Sequence, residues 1–196
     1  MTGHVIRVFG KFYTVFYDEG IVDCVLRGKL KILSEDNYSN PVAVGDIVDF
    51  EIDSNGHGLI KNVHPRENVF TRKDGVRSRE DLIACNLDKI IVVQSFGIPK
   101  LNLRFSDRIV VRSGKGGVPV ALVVNKSDMA SDDDFEYVKE YYKGSGVDVF
   151  FVSALTGDGL SNLKELISKK RNLLVGYSGV GKSSLLNKLY PALDLR

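Results

Sequence analysis

The 196-residue chain has little of what marks several protein classes. Only two cysteines occur, Cys24 and Cys85, isolated and without C-x-x-C spacing, so neither a disulfide framework nor a zinc site is indicated. No run approaches the roughly 18 to 20 consecutive apolar residues of a membrane helix. The N-terminus opens directly on the alternating, strand-like Met1-Thr2-Gly3-His4-Val5-Ile6-Arg7-Val8 and shows no secretory apolar region. A reducing cytoplasm without membrane attachment is the simplest expectation. Three histidines, His4, His57 and His64, all fall in the first third, with no adjacent cysteine or carboxylate cluster, which favours surface roles over metal ligation. Repeats and low-complexity tracts are missing as well.

Charge of one sign is also scarce: the net is +2, too little to announce a nucleic-acid partner. Its distribution is uneven. Residues 1–67 hold seven basic and ten acidic side chains, whereas residues 68–115 hold ten basic and five acidic ones. Arg66, Arg72, Lys73, Arg77, Arg79 and Lys89 bracket a junction between two kinds of sequence, and form either a solvated linker or a phosphate-contacting edge. With 43% hydrophobic and 27% charged residues, the composition is that of a soluble globular chain long enough for two small domains.

The first segment reads as short strands: His4–Phe9, Phe12–Tyr17, Ile21–Leu26, Ile47–Ile52 and Leu59–Val63, separated by turns such as Asp18-Glu19-Gly20 and Asn55-Gly56-His57-Gly58 and by a polar loop over 34–41. Five short strands in so few residues predict a small OB-fold-like or SH3-like barrel over 1–66. Alternation assigns about half of the Phe9–Tyr17 aromatics to its core; the others are placed to stack on bases. Residues 67–85 read as a basic linker, with Asp74-Gly75 as a turn. From residue 86 the pattern changes to near-continuous apolar runs, Lys89–Gln94, Val118–Val124, Val147–Val152 and Asn172–Val175, as in parallel strands covered on both faces. Helices alternate with them: one begins at Ser131-Asp132-Asp133-Asp134 and stops near Gly144, and another carries the stripe Leu160, Leu163, Leu166, Ile167. Residues 86–196 therefore read as a doubly wound α/β domain.

Gly176-Tyr177-Ser178-Gly179-Val180-Gly181-Lys182-Ser183 matches G-x-x-x-x-G-K-[ST], preceded by an apolar strand and followed by Ser184-Leu185-Leu186-Asn187 of a helix. The glycines let the backbone wrap a polyphosphate so that successive N–H groups, among them those of Gly176, Ser178, Gly179, Val180, Gly181 and Ser184, point inward at a helix N-terminus. Lys182 is expected to reach the β- and γ-phosphates, and the Ser183 hydroxyl to ligate Mg²⁺. Asn125-Lys126-Ser127-Asp128 ends another strand. There the Asp128 carboxylate can accept from the ring imino and exocyclic amino groups of guanine, whereas adenine would leave it unpaired. The Lys126 stem suits the base plane, and Asn125 a bracing role. Ser153-Ala154-Leu155 ends a third strand, where the Ala154 N–H can help read the base. All three elements stand at strand ends, where open α/β sheets bind ligands.

A barrel, then Asn68-Val69-Phe70-Thr71-Arg72, then Asn86-Leu87-Asp88 before a strand, then N-K-S-D, S-A-L and the P-loop in that permuted order: over nearly its whole length the chain resembles the ribosome small-subunit-dependent GTPase A family, a circularly permuted GTPase family. The resemblance implies an OB-fold that contacts ribosomal RNA, binding of GTP or GDP with Mg²⁺, GTP hydrolysis stimulated by the small (30S) ribosomal subunit, and a role in late maturation of that subunit, for a monomer in the cytoplasm. It implies catalytic roles for Lys182 and Ser183 and nucleotide binding by Asn125, Lys126, Asp128, Ser153, Ala154 and the P-loop. It also implies switch I, a D-x-x-G element and a zinc-binding C-terminal domain after the P-loop helix. The present sequence holds no D-x-x-G and no Cys or His beyond Lys182, so those parts are expected to lie outside it. The 196 residues alone are then expected to bind nucleotide but hydrolyse it weakly. The alternative is a GTP-dependent ribosome- or RNA-binding module without effective hydrolysis. A permuted GTPase of the large subunit fits the barrel less well, and a P-loop kinase or ATPase fits Asp128 less well.

Overall fold

The structure is a computed structural model; it describes residues 1–32, 38, 40–73 and 80–195. The polar loop expected over 34–41, the Asp74-Gly75 turn, Arg77 and Arg79 lie wholly or largely outside the described residues. The chain divides into two units, Met1–Leu87 and Asp88–Arg196.

In the first unit β1 (Thr2–Phe9), β2 (Phe12–Tyr17), β3 (Gly20–Ile32), β4 (Ile47–Ile52) and β5 (Gly58–Val63) close into a barrel of order β1-β2-β3-β5-β4. β1 pairs antiparallel with both β2 and β4, and β3 runs parallel to β5, so no edge is left open. This is the expected five-stranded barrel, with β3 longer than its apolar stretch suggests. Alternation decides the core: Val5, Tyr13, Val15, Cys24, Val48, Phe50 and Ile60 face inward and are buried. Phe9, Phe12 and Phe16 stay exposed, and Tyr17 packs edge-on against Phe50 at 5.2 Å. His4 and His57 are exposed, while His64 is half-buried with Nε2 3.0 Å from Asp49 Oδ1.

Where the sequence reads 67–85 as a linker, the described residues hold β6 (Val69–Lys73) and β7 (Glu80–Cys85), an antiparallel pair grouped with the barrel unit. The reason is a buried polar knot. Arg66 donates through Nε (2.8 Å) and Nη2 (2.9 Å) to the two oxygens of Asp46, which has no exposed surface. The same carboxylate accepts from the Ala43 N–H at 2.8 Å and the Cys85 thiol at 3.0 Å. Gly45, at φ +94°, lies so close to the Cys85 carbonyl that a Cβ would sit 2.0 Å from its oxygen. Arg66 is thus a buried structural cation and not part of a phosphate-contacting edge.

In the second unit β8 (Lys89–Ser95), β9 (Val120–Asn125), β10 (Asp148–Phe151) and β11 (Asn172–Val175) form a parallel sheet of order β10-β9-β8-β11. Ile91, Val93, Ala121 and Val123 face one layer, under α3 (Leu160–Ile167) and α4 (Lys182–Leu189). Ile90, Val92, Leu122 and Val124 are equally buried, so both faces are covered. α1 (Leu103–Gly116) packs on β8 and β9, and α2 (Asp132–Tyr142) on β10. α2 begins as the sequence indicates: Ser131 and Asp134 form a reciprocal capping box. α1 is the element that sequence reading did not single out. Ile109-Val110-Val111 and the glycines at 114 and 116 weigh against helix, and Asn102 supplies the cap by accepting from the Phe105 N–H at 3.1 Å.

Both cysteines are buried and free. Burial, aided by Asp23, pushes the Cys24 thiol up to about 11, and burial next to Asp46 raises that of Cys85 as well. Little thiolate is then present at neutral pH, and a thiol reagent at pH 8 is expected to modify neither cysteine until denaturant is added. Rapid labelling of the native protein, measured by absorbance, would contradict this packing.

Candidate nucleotide site

Three loops meet at the carboxyl ends of β9, β11 and the strand edge beyond β10, and the side chain of Asn125 joins them. Asn125 is 2% exposed. Its Nδ2 donates to the Val180 carbonyl at 2.9 Å, and its Oδ1 accepts from the Ala154 N–H at 3.1 Å. One planar amide therefore fixes the P-loop and the S-A-L turn to the end of β9.

The P-loop itself runs from Gly176 into α4. Gly181 stands at φ +95°, where a side chain is strained, and a Cβ there would come within 2.2 Å of Asn125 Nδ2. At Gly176 a Cβ would meet the Val93 carbonyl oxygen at 2.3 Å. Both glycines are thus required by close approach. Lys182 reaches back across the loop: its Nζ donates to the carbonyls of Gly176 (2.9 Å) and Tyr177 (2.8 Å), which holds the ammonium over the cradle. Ser183 occupies the first turn of α4, and Val180 is buried beneath the loop. Ser178 and Gly179 are exposed.

Lys126 takes the left-handed conformation at φ +60°. Its ammonium donates to the carbonyls of Ile98 and, at 3.1 Å, Gly179, so the aliphatic stem stretches between the N-K-S-D loop and the P-loop. Asp128 is oriented by Ser153, whose hydroxyl donates to Oδ1 at 2.5 Å. The same Ser153 oxygen accepts from the backbone N–H groups of Leu155 (3.2 Å) and Thr156 (3.1 Å), which sets the shape of the turn. Sequence reading placed Ser153 at the site but could not name Asp128 as its partner.

These groups surround a cavity of about 400 Å³ lined by Asn125, Lys126, Asp128, Met129, Ala154, Leu155, Gly179, Gly181 and Ser184. It is an open cleft with room for a purine base and more. Met129 and Leu155 are apolar lining residues that motif reading did not assign to binding; both are more than half exposed, as unpaired apolar groups at a ligand site often are. A carboxylate at one end, an apolar rim and a loop of backbone N–H groups at the other make a receptor for a base joined to phosphates. Among the described residues, no group of three or more His, Cys, Asp or Glu could hold a metal ion. A Mg²⁺ ion here would instead take the Ser183 hydroxyl together with phosphate and water oxygens, a donor set that this hard cation accepts.

Comparison with known proteins agrees with this geometry. The family model described as RsgA GTPase matches residues 63–196, and that of the RsgA N-terminal domain matches residues 2–60. Over its whole length the chain is 34% identical to a Flavobacterium johnsoniae protein named small ribosomal subunit biogenesis GTPase RsgA, and 37% identical to the Porphyromonas gingivalis protein of that name. It spans 62% and 64% of the length of these relatives. Among solved structures, YjeQ from Thermotoga maritima matches with a TM-score of 0.75 and 32% identity, covering all of this chain and 66% of that one. YloQ, described as a circularly permuted GTPase, matches with a TM-score of 0.67 and 26% identity, over 97% of this chain and 64% of that one.

The tight seat of Gly181 leads to a direct expectation. Gly181→Ala forces a strained backbone costing about 1–3 kcal/mol and pushes against Asn125. In calorimetric titration it should weaken GDP binding about ten- to hundredfold while the circular dichroism spectrum is kept. Unchanged affinity would show that the loop does not hold its ligand in this form.

Proposed function

The chain belongs to the RsgA GTPase family, and from that membership we propose that the protein binds GTP and GDP and hydrolyses GTP in the biogenesis of the small ribosomal subunit. The observation that carries the nucleotide part is the joining of the three loops by Asn125 around one cavity lined by Asp128 and the P-loop. Asp128 accepts from guanine, and the Lys126 stem and Leu155 flank the base, while the Ala154 N–H stays with Asn125 and fixes the turn beside it. The N–H groups from Gly176 to Ser184 receive the phosphates at the N-terminus of α4. Lys182 exchanges its two loop carbonyls for phosphate oxygens. When water attacks the γ-phosphorus, the bridging β–γ bond breaks and negative charge gathers on the departing GDP, which Lys182 and the loop amides stabilise. Mg²⁺ bound beside Ser183 would neutralise part of the phosphate charge.

The partner is proposed from the names of the relatives, which refer to the small ribosomal subunit. We further propose that the protein acts as a monomer in the cytoplasm; the zinc that the resemblance implies finds no group of three or more His, Cys, Asp or Glu ligands among the described residues. No helix among the described residues is long and apolar enough to cross a membrane. Since no D-x-x-G follows Lys182 in these residues, turnover by the 196-residue polypeptide alone is expected to be slow.

The test is phosphate release by the full-length protein with and without purified small ribosomal subunits. GTP turnover should rise when subunits are added, and Lys182→Ala should lower it by about 10²- to 10³-fold. Equal turnover of ATP, or no response to subunits, would contradict the reading.

A further inference from the structure

α1 carries a line of cations that the nucleotide site does not use. Residues 100–115 include five basic side chains, Lys100, Arg104, Arg108, Arg112 and Lys115, against the single acid Asp107. At 3.6 residues per turn, Arg104, Arg108 and Lys115 project within about 40° of one another, over a helix length of about 16 Å. These three, with Lys100 just before the helix, are exposed, and none forms an ion pair among the described residues. Asp107 is engaged elsewhere, accepting from the Tyr141 and Tyr142 hydroxyls at 2.7 and 2.8 Å. The neighbouring surface has the opposite sign: residues 131–143, which include α2, hold five acidic and two basic residues. The second unit is therefore polarised, with a narrow basic ridge on α1.

We propose that this ridge binds the phosphate backbone of RNA, an inference that rests on the small-subunit reading above. Arg104 and Arg108, one helical turn apart, present two planar guanidinium forks about 6 Å from each other, and Lys115 adds an ammonium about 10 Å further along the same face, intervals that suit phosphates on a strand. A membrane-lying helix would interleave large apolar groups with its cations, yet Val111 is the one large apolar side chain of α1 that is strongly exposed. The ridge is also wired to the nucleotide site. The Phe105 ring lies 4.6 Å from that of Tyr177 in the P-loop, and the Asn102 N–H donates to Gln94 at the end of β8 at 3.3 Å. RNA held on α1 would lie beside the bound nucleotide.

The test compares the full-length protein with a variant carrying Lys100→Gln, Arg104→Gln, Arg108→Gln and Lys115→Gln. A short fluorescein-labelled RNA duplex is titrated by anisotropy across a range of salt concentrations. Losing four phosphate contacts at about 0.9 each should reduce the slope of log K against log salt by about 3.6 and weaken binding about tenfold or more at moderate salt. The charge-preserving variant with Arg104→Lys and Arg108→Lys should keep the slope. GDP affinity of the quadruple variant should be unchanged, which excludes misfolding. An unaltered slope and affinity, or no RNA binding by the unmodified protein, would overturn the proposal. Failure of the unmodified protein to bind GDP would instead sink the guanine-nucleotide reading, and the two failures are thereby told apart.

Discussion

The carboxamide of Asn125 is the constraint on which the nucleotide site depends. It is buried, it has one donor and one acceptor end, and each end is committed to a different loop. An aspartate would turn an acceptor toward the Val180 carbonyl; an alanine would leave that carbonyl and the Ala154 N–H without their partner, a loss on the order of 1–3 kcal/mol for each buried group. Gly181 must lack a side chain for this amide to come so close. The P-loop, the N-K-S-D loop and the S-A-L turn, far apart in sequence, are thus held together as one unit. The permuted order of the motifs has no bearing on this, because the amide joins them in space.

A second buried polar cluster plays a comparable part in the barrel unit. Asp46 and Arg66 are both withdrawn from water, and the carboxylate also receives a backbone N–H and a thiol. Removing one partner of such a pair costs about 3–5 kcal/mol, since the other is left buried and uncompensated. The loop before β4, the residue leaving the barrel at 66 and the end of β7 are tied at one point. That is why β6 and β7 belong with the barrel.

Much of this was legible in the sequence where local rules dominate. Continuous apolar runs gave away the parallel strands, period-2 alternation the barrel, and Ser131 followed by Asp134 the start of α2. The P-loop glycines could be read because strand and helix flank them. What escaped reading depends on partners remote in the chain. Nothing near Arg66 reveals that Asp46, twenty residues earlier, would bury it, and the basic junction therefore looked like a linker. Ser153 could be placed at the site, but not as the group that orients Asp128. Met129 and Leu155 were ordinary apolar residues until the cavity gave them a place. α1 was hidden because its β-branched run and glycines oppose helix propensity, and packing on β8 and β9 overrides them.

We propose that Asp128, held by Ser153, selects guanine. Calorimetric titration of the chain with GDP, IDP and ADP tests it most directly. IDP lacks the exocyclic amine and should bind about ten- to hundredfold more weakly than GDP, the cost of one unpaired carboxylate oxygen. ADP should show no measurable binding. If ADP bound as tightly as GDP, the carboxylate would not be reading the base, and the account of the site would be wrong.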